Sequence, residues 1–482
     1  MWKLSCLCLI GCVSMDATSD VATAPSTASW GPDVRVSNTA ANSTTVFNFG
    51  RSVAASAGRV HAVWWDEDAT SAQVYYARST DDGTTWAPIL LSSAAKATVP
   101  TIAADGDTVL VAWNQFDEAT QFTVHARRSI DGGATWQPEQ TLTTTGRSAM
   151  APVAISEGRA YVVWGETDDP NGSPEIYVRR SLDAGATWEP PVKMSSSYNS
   201  PSWVPTVTAK GDLVLVGWVD YQDANEEEYL RRSTDGGVTW GPITRMSNDG
   251  ADSWAPSIAV SGNNVYFTWF DRRDGGASDV DVENALDDAL ELVGLTPTPS
   301  PPRDPTIYYL PLFMQRIQMK IQTLMAAAPT WVQNGGDPSK VQALLEIFQT
   351  KMYQWMVGWE LYFKQSSDRG ASWGAETRLT TSTGLSQRPS VVAIRDEVHV
   401  VWFDGRDGKP NDAGSNYAGY TEIYYKSSPD QGRTWTADER LTTATGDSSM
   451  ASLAEDHGQL HVLWTDMRDG NGEIYAKAAT LR

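Results

Sequence analysis

Apolar residues along this chain gather into short runs that end in tryptophan. Seven such runs recur: VHAVWWD (60–66), VLVAWNQ (109–115), AYVVWGE (160–166), LVLVGWVD (213–220), VYFTWFD (265–271), VHVVWFD (398–404) and LHVLWTD (460–466). Runs of this length, rich in β-branched and aromatic residues, read as buried strands. Shorter runs such as VPTIAA, VPTVTA, APSIAV and RPSVVA precede several of them and read as a first strand. A polar eight-residue phrase follows most of them: STDDGTTW (79–86), SIDGGATW (129–136), SLDAGATW (181–188), STDGGVTW (233–240), SSDRGASW (366–373) and SPDQGRTW (428–435). A fourth strand, for example GPITRMS or GAETRLT, comes after the phrase. Four short strands per unit at a near-constant period predict a β-propeller, an all-β fold of four-stranded antiparallel blades.

There are seven tryptophan strands but six phrases. The last unit stops at EIYAKAATLR, while SWGPDVRVS (29–37) stands alone near the start with Trp30 where a phrase tryptophan belongs. An N-terminal strand over 29–37 that completes the last blade leaves the ring without a free edge, the usual hazard of β-structure. Seven blades follow from this count; six is the alternative if one unit is degenerate. The propeller then spans 29–482.

One interval breaks the period. Residues 277–358 separate the second and third strands of the fifth unit. They open with an acidic stretch (279–294) and continue with a proline-rich one (296–305). Two helical stripes follow: Phe313, Ile317, Ile321 and Leu324, then Val341, Leu344, Leu345, Phe348, Met352, Trp355 and Met356. Asp337 before Pro338 reads as an N-cap with proline in the first helical position. A helical hairpin is expected, either packed on the rim, covering the central mouth, or docking a protein partner.

Composition narrows the partners. A net charge of −22 over 482 residues argues against nucleic acid and against electrostatic docking on anionic lipid. The three cysteines, Cys6, Cys8 and Cys12, all fall within the first twelve residues, so the rest of the chain has no internal disulfide. The opening MWKLSCLCLIGC resembles a bacterial lipoprotein signal, with 1–11 removed and Cys12 lipidated. Residues 12–28 then form a polar tether. This resemblance implies a lipid-anchored protein of the cell envelope, or a secreted one, and a monomer is expected. His61, His399 and His461 share one repeat position and read as packing; no H-E-x-x-H occurs, so no zinc site is expected.

The phrase matches the Asp-box, S-x-D-x-G-x-T-W, and the chain resembles the sialidase-type Asp-box propellers over nearly all its length except the tether and the insertion. The phrase itself reads as scaffold. Its aspartate accepts hydrogen bonds from its own turn, its glycine supplies positive φ, and its tryptophan packs between strands. Antiparallel strands A to D, counted from the axis, put these turns on one face and the B–C and D–A loops on the other. The chemistry is expected on the second face.

Two residues after the B-strand tryptophans stand Asp66, Gln115, Glu166, Asp220, Asp271, Asp404 and Asp466. Three consecutive units extend this to DRRDGG (271–276), DGRDGK (404–409) and DMRDGN (466–471), with Arg273, Arg406 and Arg468 in one place. Arg51 and Arg388 mark A-strand starts. Resemblance to the exo-sialidases implies three arginines for a substrate carboxylate, an acid/base aspartate, and a tyrosine nucleophile helped by a glutamate. On that resemblance Arg388 matches the first arginine, Asp404 and Arg406 the D-x-R, and Asp412 the acid/base. Arg273, Arg468 and Arg51 are further candidates for an anionic sugar. The nucleophile has no motif match, Tyr221, Tyr417 and Tyr420 being the options. The D-x-R loops also read as salt bridges between blades. Acidic loops of this kind offer oxygen ligands for calcium, and no other cofactor is implied. Two function classes stay open: a glycoside hydrolase of exo-sialidase type, or a non-catalytic propeller binding glycan or protein.

Overall fold

The computed structural model describes residues 28–481 apart from 47–49, 69–70, 119–120, 144–147, 168–172, 197–200, 222–224, 249–250, 274–276, 278, 297–308, 383 and 409–420. Its strands form seven separate antiparallel sheets, each of four strands in the order A-B-C-D, with strand A split in two in blades 1 and 3 and strand D in blade 7. The architecture is a seven-bladed propeller. Blade 4 consists of Ser202–Lys210, Leu213–Asp220, Glu227–Ser233 and Thr244–Arg245. Blade 5 consists of Ser253–Ser261, Asn264–Asp271, Glu360–Ser366 and Thr377–Arg378.

The tryptophans of the seven B strands are the largest fully buried side chains, each at most 1% exposed. Six blades give the indole N–H the same acceptor, the carboxylate two residues on. Trp64 donates to Asp66 at 2.9 Å, Trp402 to Asp404 at 2.9 Å and Trp464 to Asp466 at 2.8 Å; Glu166, Asp220 and Asp271 serve Trp164, Trp218 and Trp269. Blade 2 has Gln115 at that place, and the Trp113 indole N–H has no partner among the described residues. The recurring acid of the sequence is thus the acceptor that lets a polar indole lie in the core.

The polar phrase closes each C–D turn. In blade 2, Ser129 Oγ donates to Asp131 Oδ1 at 2.7 Å and accepts from Gly133 N at 2.8 Å. Asp131 accepts further from Thr135 N at 2.8 Å and Thr135 Oγ1 at 2.5 Å, while Gly133 holds φ at +78°. The phrase tryptophan then packs edge-on against the preceding blade, Trp136 on Tyr76 at 4.8 Å and Trp435 on Phe363 at 5.1 Å. These turns share a face with the A–B turns: Gly132 N donates to Asp107 O at 2.8 Å and Gly236 N to Asp212 O at 2.9 Å. We call this face the lower one.

Ala28–Trp30 and Val34–Arg35 supply the fourth strand of blade 7, pairing antiparallel with Glu473–Leu481 so that Trp30 faces Ala479 and Val34 faces Ala476. Trp30 lies edge-on against Tyr425 of blade 6 at 5.1 Å, the contact that a phrase tryptophan makes elsewhere.

Strand A carries a β-bulge near its upper end, with a register slip at the same place in blades 2, 4, 5, 6 and 7. Val99, Met150, Val204, Ala255, Arg388 and Met450 take φ between 52 and 59° there. Positive φ in the β-branched Val99 and Val204 is a true outlier; its recurrence at one place in six blades makes it part of the bulge. Val204, Ala255 and Met450, from three different blades, belong with Val46 to one buried cluster. Strand A is the innermost strand of every blade, so these bulge side chains lie about the axis, where they form a plug.

The insertion leaves the upper end of blade 5. It holds three helices: α1 (Asp279–Leu292), α2 (Tyr309–Gln333) and α3 (Pro338–Val357). The two sequence stripes lie in α2 and α3, and Asp337 caps α3 by accepting from Ser339 N at 3.0 Å. Helix α1 lies in the acidic stretch, to which the sequence reading gave no element. Its Val282, Ala285, Leu286, Ala289 and Leu290 form a buried stripe facing Ile317, Leu324, Val341 and Phe348. Its acids lie beside or outside that stripe; Glu283, the buried one, pairs with Arg316 at 2.7 Å. No described helix is long and apolar enough to cross a membrane.

Candidate functional site

The B–C and D–A loops make the upper face. The three D-x-R loops lie on it and repeat one construction. Arg406 donates from Nε to Asp404 Oδ1 at 2.8 Å and from Nη2 to Asp404 Oδ2 at 2.7 Å, and its Nη1 meets Asp438 at 2.8 Å. Arg468 does the same with Asp466 and with Asp33, both groups at 2.7 to 2.8 Å. Arg273 puts both Nε and Nη2 on Asp271 Oδ2, at 3.0 and 2.6 Å, and its Nη1 on Glu376. Each guanidinium also lies over a C-strand tyrosine: Arg273 over Tyr362 at 4.2 Å, Arg406 over Tyr424 at 4.5 Å, Arg468 over Tyr475 at 4.1 Å. The paired carboxylate of Asp466, helped by Asp33, pushes Arg468 above the ordinary guanidinium range. Asp404 is fully buried and also accepts from Trp402 and from Ser386 Oγ at 2.9 Å. A lysine completes each set, Lys364, Lys426 or Lys477, on the outer acid. These arginines sit in three different blades with two acids each; the structure does not bring their forks together.

Arg388 is elsewhere. It stands at the bulge of blade 6, 9% exposed, and its Nη1 lies 3.2 Å from Met450 Sδ in the axial plug. Arg51 lies on the axis too, one repeat position further along strand A. Asp412, Tyr417, Tyr420 and Cys12 lie outside the described residues. Among the described residues no group of three or more His, Cys, Asp or Glu side chains is arranged to hold a metal ion. His61 and His399 bond Tyr76 and Tyr425 hydroxyls at 2.7 and 2.8 Å and are buried in the blades.

A repeat array repeats its scaffold, so positions that break the repeat mark what the scaffold does not need. On the upper face the breaks gather at the junction of blades 4 and 5. The residue before the bulge is Thr98, Ala149, Gln387 or Ser449 in four blades, but Trp203 and Trp254 in blades 4 and 5. These two indoles stack at 6.2 Å with an interplanar angle of 30°, partly exposed at the mouth of the ring. Trp254 Nε1 donates to Glu226 Oε2 at 2.6 Å. Glu226 N in turn donates to Asp252 Oδ1 at 3.2 Å, and Asp252 also pairs with Arg272. Arg272 replaces the Gly405 and Met467 of the next two blades and lies over Trp359 at 5.2 Å. The 277–358 insertion leaves the same rim.

Glu228 is the sharpest departure. Its repeat position is Val74, Val124, Ile176, Leu361, Ile423 and Ile474 in the other blades, all fully buried. Glu228 is fully buried as well, and neither carboxylate oxygen has a hydrogen-bond partner among the described residues. Burial pushes its pKa well above the ordinary carboxylate range, and Glu227 and Asp271 push the same way. The sequence reading missed this residue. The signal was present in the aligned C strands, where EIYV, ELYF, EIYY and EIYA stand beside EEYL.

No protein-family model and no curated protein sequence matches the chain. Many solved structures are similar to it. An α-L-arabinofuranosidase of Fusarium graminearum, solved with an iminosugar inhibitor, is 13% identical with a TM-score of 0.43, over 95% of this chain and 99% of that one. A protein of unknown function from Dyadobacter fermentans is 13% identical with a TM-score of 0.49, over 95% and 100%. A sialidase of Trypanosoma rangeli is 13% identical with a TM-score of 0.43, over 91% of this chain and 60% of that one. At these identities and TM-scores the likeness assigns no activity to this chain.

Proposed function

We propose that this chain is a glycan-binding propeller, displayed at the cell envelope through a lipidated Cys12, with its binding mouth at the upper junction of blades 4 and 5. The observation that carries the reading is the Trp203–Trp254 pair. Two partly exposed indoles at one mouth offer a broad apolar platform for the C–H face of a sugar ring. Glu226, Asp252 and Arg272 beside them supply the few fixed polar groups that such a site uses for orientation. The acids crowding this mouth favour a neutral, hydroxyl-rich glycan over an acidic one. The exo-sialidase reading requires arginine forks open to a substrate carboxylate. The engagement of Arg273, Arg406 and Arg468 with two acids each supports binding without sialoside turnover.

Titration of the intrinsic tryptophan fluorescence with neutral and sialylated oligosaccharides tests the reading. Saturable quenching by a neutral oligosaccharide is expected, weakened at least about tenfold, roughly 1.4 kcal/mol, by Trp254→Ala. Release of a fluorogenic sialoside that Asp412→Ala abolishes would overturn it in favour of hydrolysis.

A further inference from the structure

Below the axial plug the ring encloses a second feature. A cavity of about 210 Å³ is lined by strand A of every blade, through Ala54 and Ala55, Ala103 and Ala104, Ala154, Ala209, Val260, Ala393 and Glu455 among others. These residues run down to the A–B turns, so the cavity opens on the lower face, opposite the tryptophan pair. The wall side chains are short, and among those lining it Arg51 and Glu455 alone carry charge. Glu455 sits at the rim, where its Oε1 accepts from Gly458 N at 3.0 Å.

Arg51 forms the inner end of this well. Its repeat position is Pro100, Pro205, Pro256 and Pro389 in four blades and Ala151 and Ala451 in two, so the arginine is no part of the repeating scaffold. Preceding it is Gly50, whose Cβ, if present, would lie 2.7 Å from Thr101 Cγ2 and 3.2 Å from Pro152 Cβ. The bare backbone there lets blade 1 approach its neighbours while the next side chain turns to the axis. The Arg51 guanidinium donates from Nη1 to Leu453 O and from Nη2 to Val391 O, each at 3.1 Å, on strands of blades 7 and 6. Two of its five N–H groups are thereby used, and no carboxylate among the described residues pairs with it. Burial pulls its pKa down to about 10. Arg51 is half-buried, and a cation taken partly out of water is costly unless an opposite charge joins it. The free edge of a fork already fixed by two carbonyls is preorganised for the planar oxygens of a carboxylate.

We propose that the axial well is a binding site for a small carboxylate anion with a short apolar body, its oxygens on Arg51 and its body against the alanine wall. The site is independent of the glycan mouth: the plug of Val46, Val204, Ala255 and Met450 separates the two.

The test uses the full chain at constant ionic strength, with acetate, propionate and butyrate as probes and chloride and sulfate as comparisons. Melting temperature and calorimetric titration are the readouts. Propionate or butyrate is expected to bind in a one-to-one ratio and to raise the melting temperature, while chloride and sulfate do less. Arg51→Met removes the effect, Arg51→Lys weakens it about tenfold or more because it loses the two-point fork, and Trp254→Ala leaves it intact. Should Arg51→Met fail to fold, the Lys variant alone decides. Equal binding in the Lys variant, or equal stabilisation by chloride or sulfate, overturns the proposal. Loss of carboxylate binding in Trp254→Ala would assign the ligand to the upper mouth and overturn it as well.

Discussion

A chain lacking residues 1–37 is expected to be much less stable than the whole protein and to self-associate. The cut removes the outer strand of blade 7, and Glu473–Leu481 becomes a free edge, which pairs readily with another copy. It also strands charge. Glu473, fully buried, loses Arg35 and the Ser37 hydroxyl, which donates to its Oε2 at 2.5 Å. Arg468 and Lys477 lose Asp33. Breaking a fully buried ion pair costs about 3–5 kcal/mol; with Arg35 34% exposed the cost here is smaller, and losing the Trp30 contact with Tyr425 adds to it. The expected result is a clear drop in the urea midpoint and concentration-dependent assembly on a sizing column. A chain lacking residues 1–27 keeps the strand and serves as the control, with an unchanged midpoint. Unchanged stability and a monomer in the longer deletion would mean that the ring does not depend on this closure.

Replacing Glu228 is expected to stabilise the protein. Glu228→Leu restores the aliphatic side chain that the other blades carry and removes a buried carboxyl without partners. The gain at neutral pH is about 1–3 kcal/mol. The pH dependence identifies the cause. The folded pKa is raised above the ordinary value of 4.5, so the folded chain keeps a proton that the unfolded chain releases. The group's favourable contribution is therefore complete below about pH 4.5, the unfolded value, and is lost as pH rises towards the folded pKa. Chemical denaturation of wild type and Glu228→Gln across pH 4 to 8 should give the smallest difference at the acid end and a growing advantage for the variant above it. A flat difference would locate the effect in packing alone. That one blade junction keeps so costly a group, beside Glu226 and the tryptophan pair, fits a place where function outweighs stability.

The repeat made most of the fold legible. Periodic tryptophans and turn phrases are chemistry that the blades share, so seven strands and six phrases announce themselves in one sequence. The same regularity left two readings of the D-x-R loops open, an anionic-sugar site and salt bridges. Asp66, Asp404 and Asp466 read as loop chemistry, yet each accepts an indole N–H from two residues before. Arg273, Arg406 and Arg468 recur in the same way, and each is engaged by two acids. Their outer partners, Glu376, Asp438 and Asp33, stand far off in sequence and become neighbours only through strand pairing. The departures carried more information. Glu228 among aliphatics, Trp203 and Trp254 among non-aromatic residues and Arg51 among prolines and alanines were all visible, but only once the units were aligned strand by strand. Helix α1 was hidden by its acids, which sit at the spacings left over by a buried stripe.

Hydrogen exchange of the full chain, with and without a saturating neutral oligosaccharide, tests the central claim most directly. Protection confined to 201–204, 225–229 and 252–255, on the upper rim of blades 4 and 5, is the result expected. Protection centred on the phrase turns of the lower face, or on 404–408 and 466–470 with the tryptophan junction untouched, would contradict it.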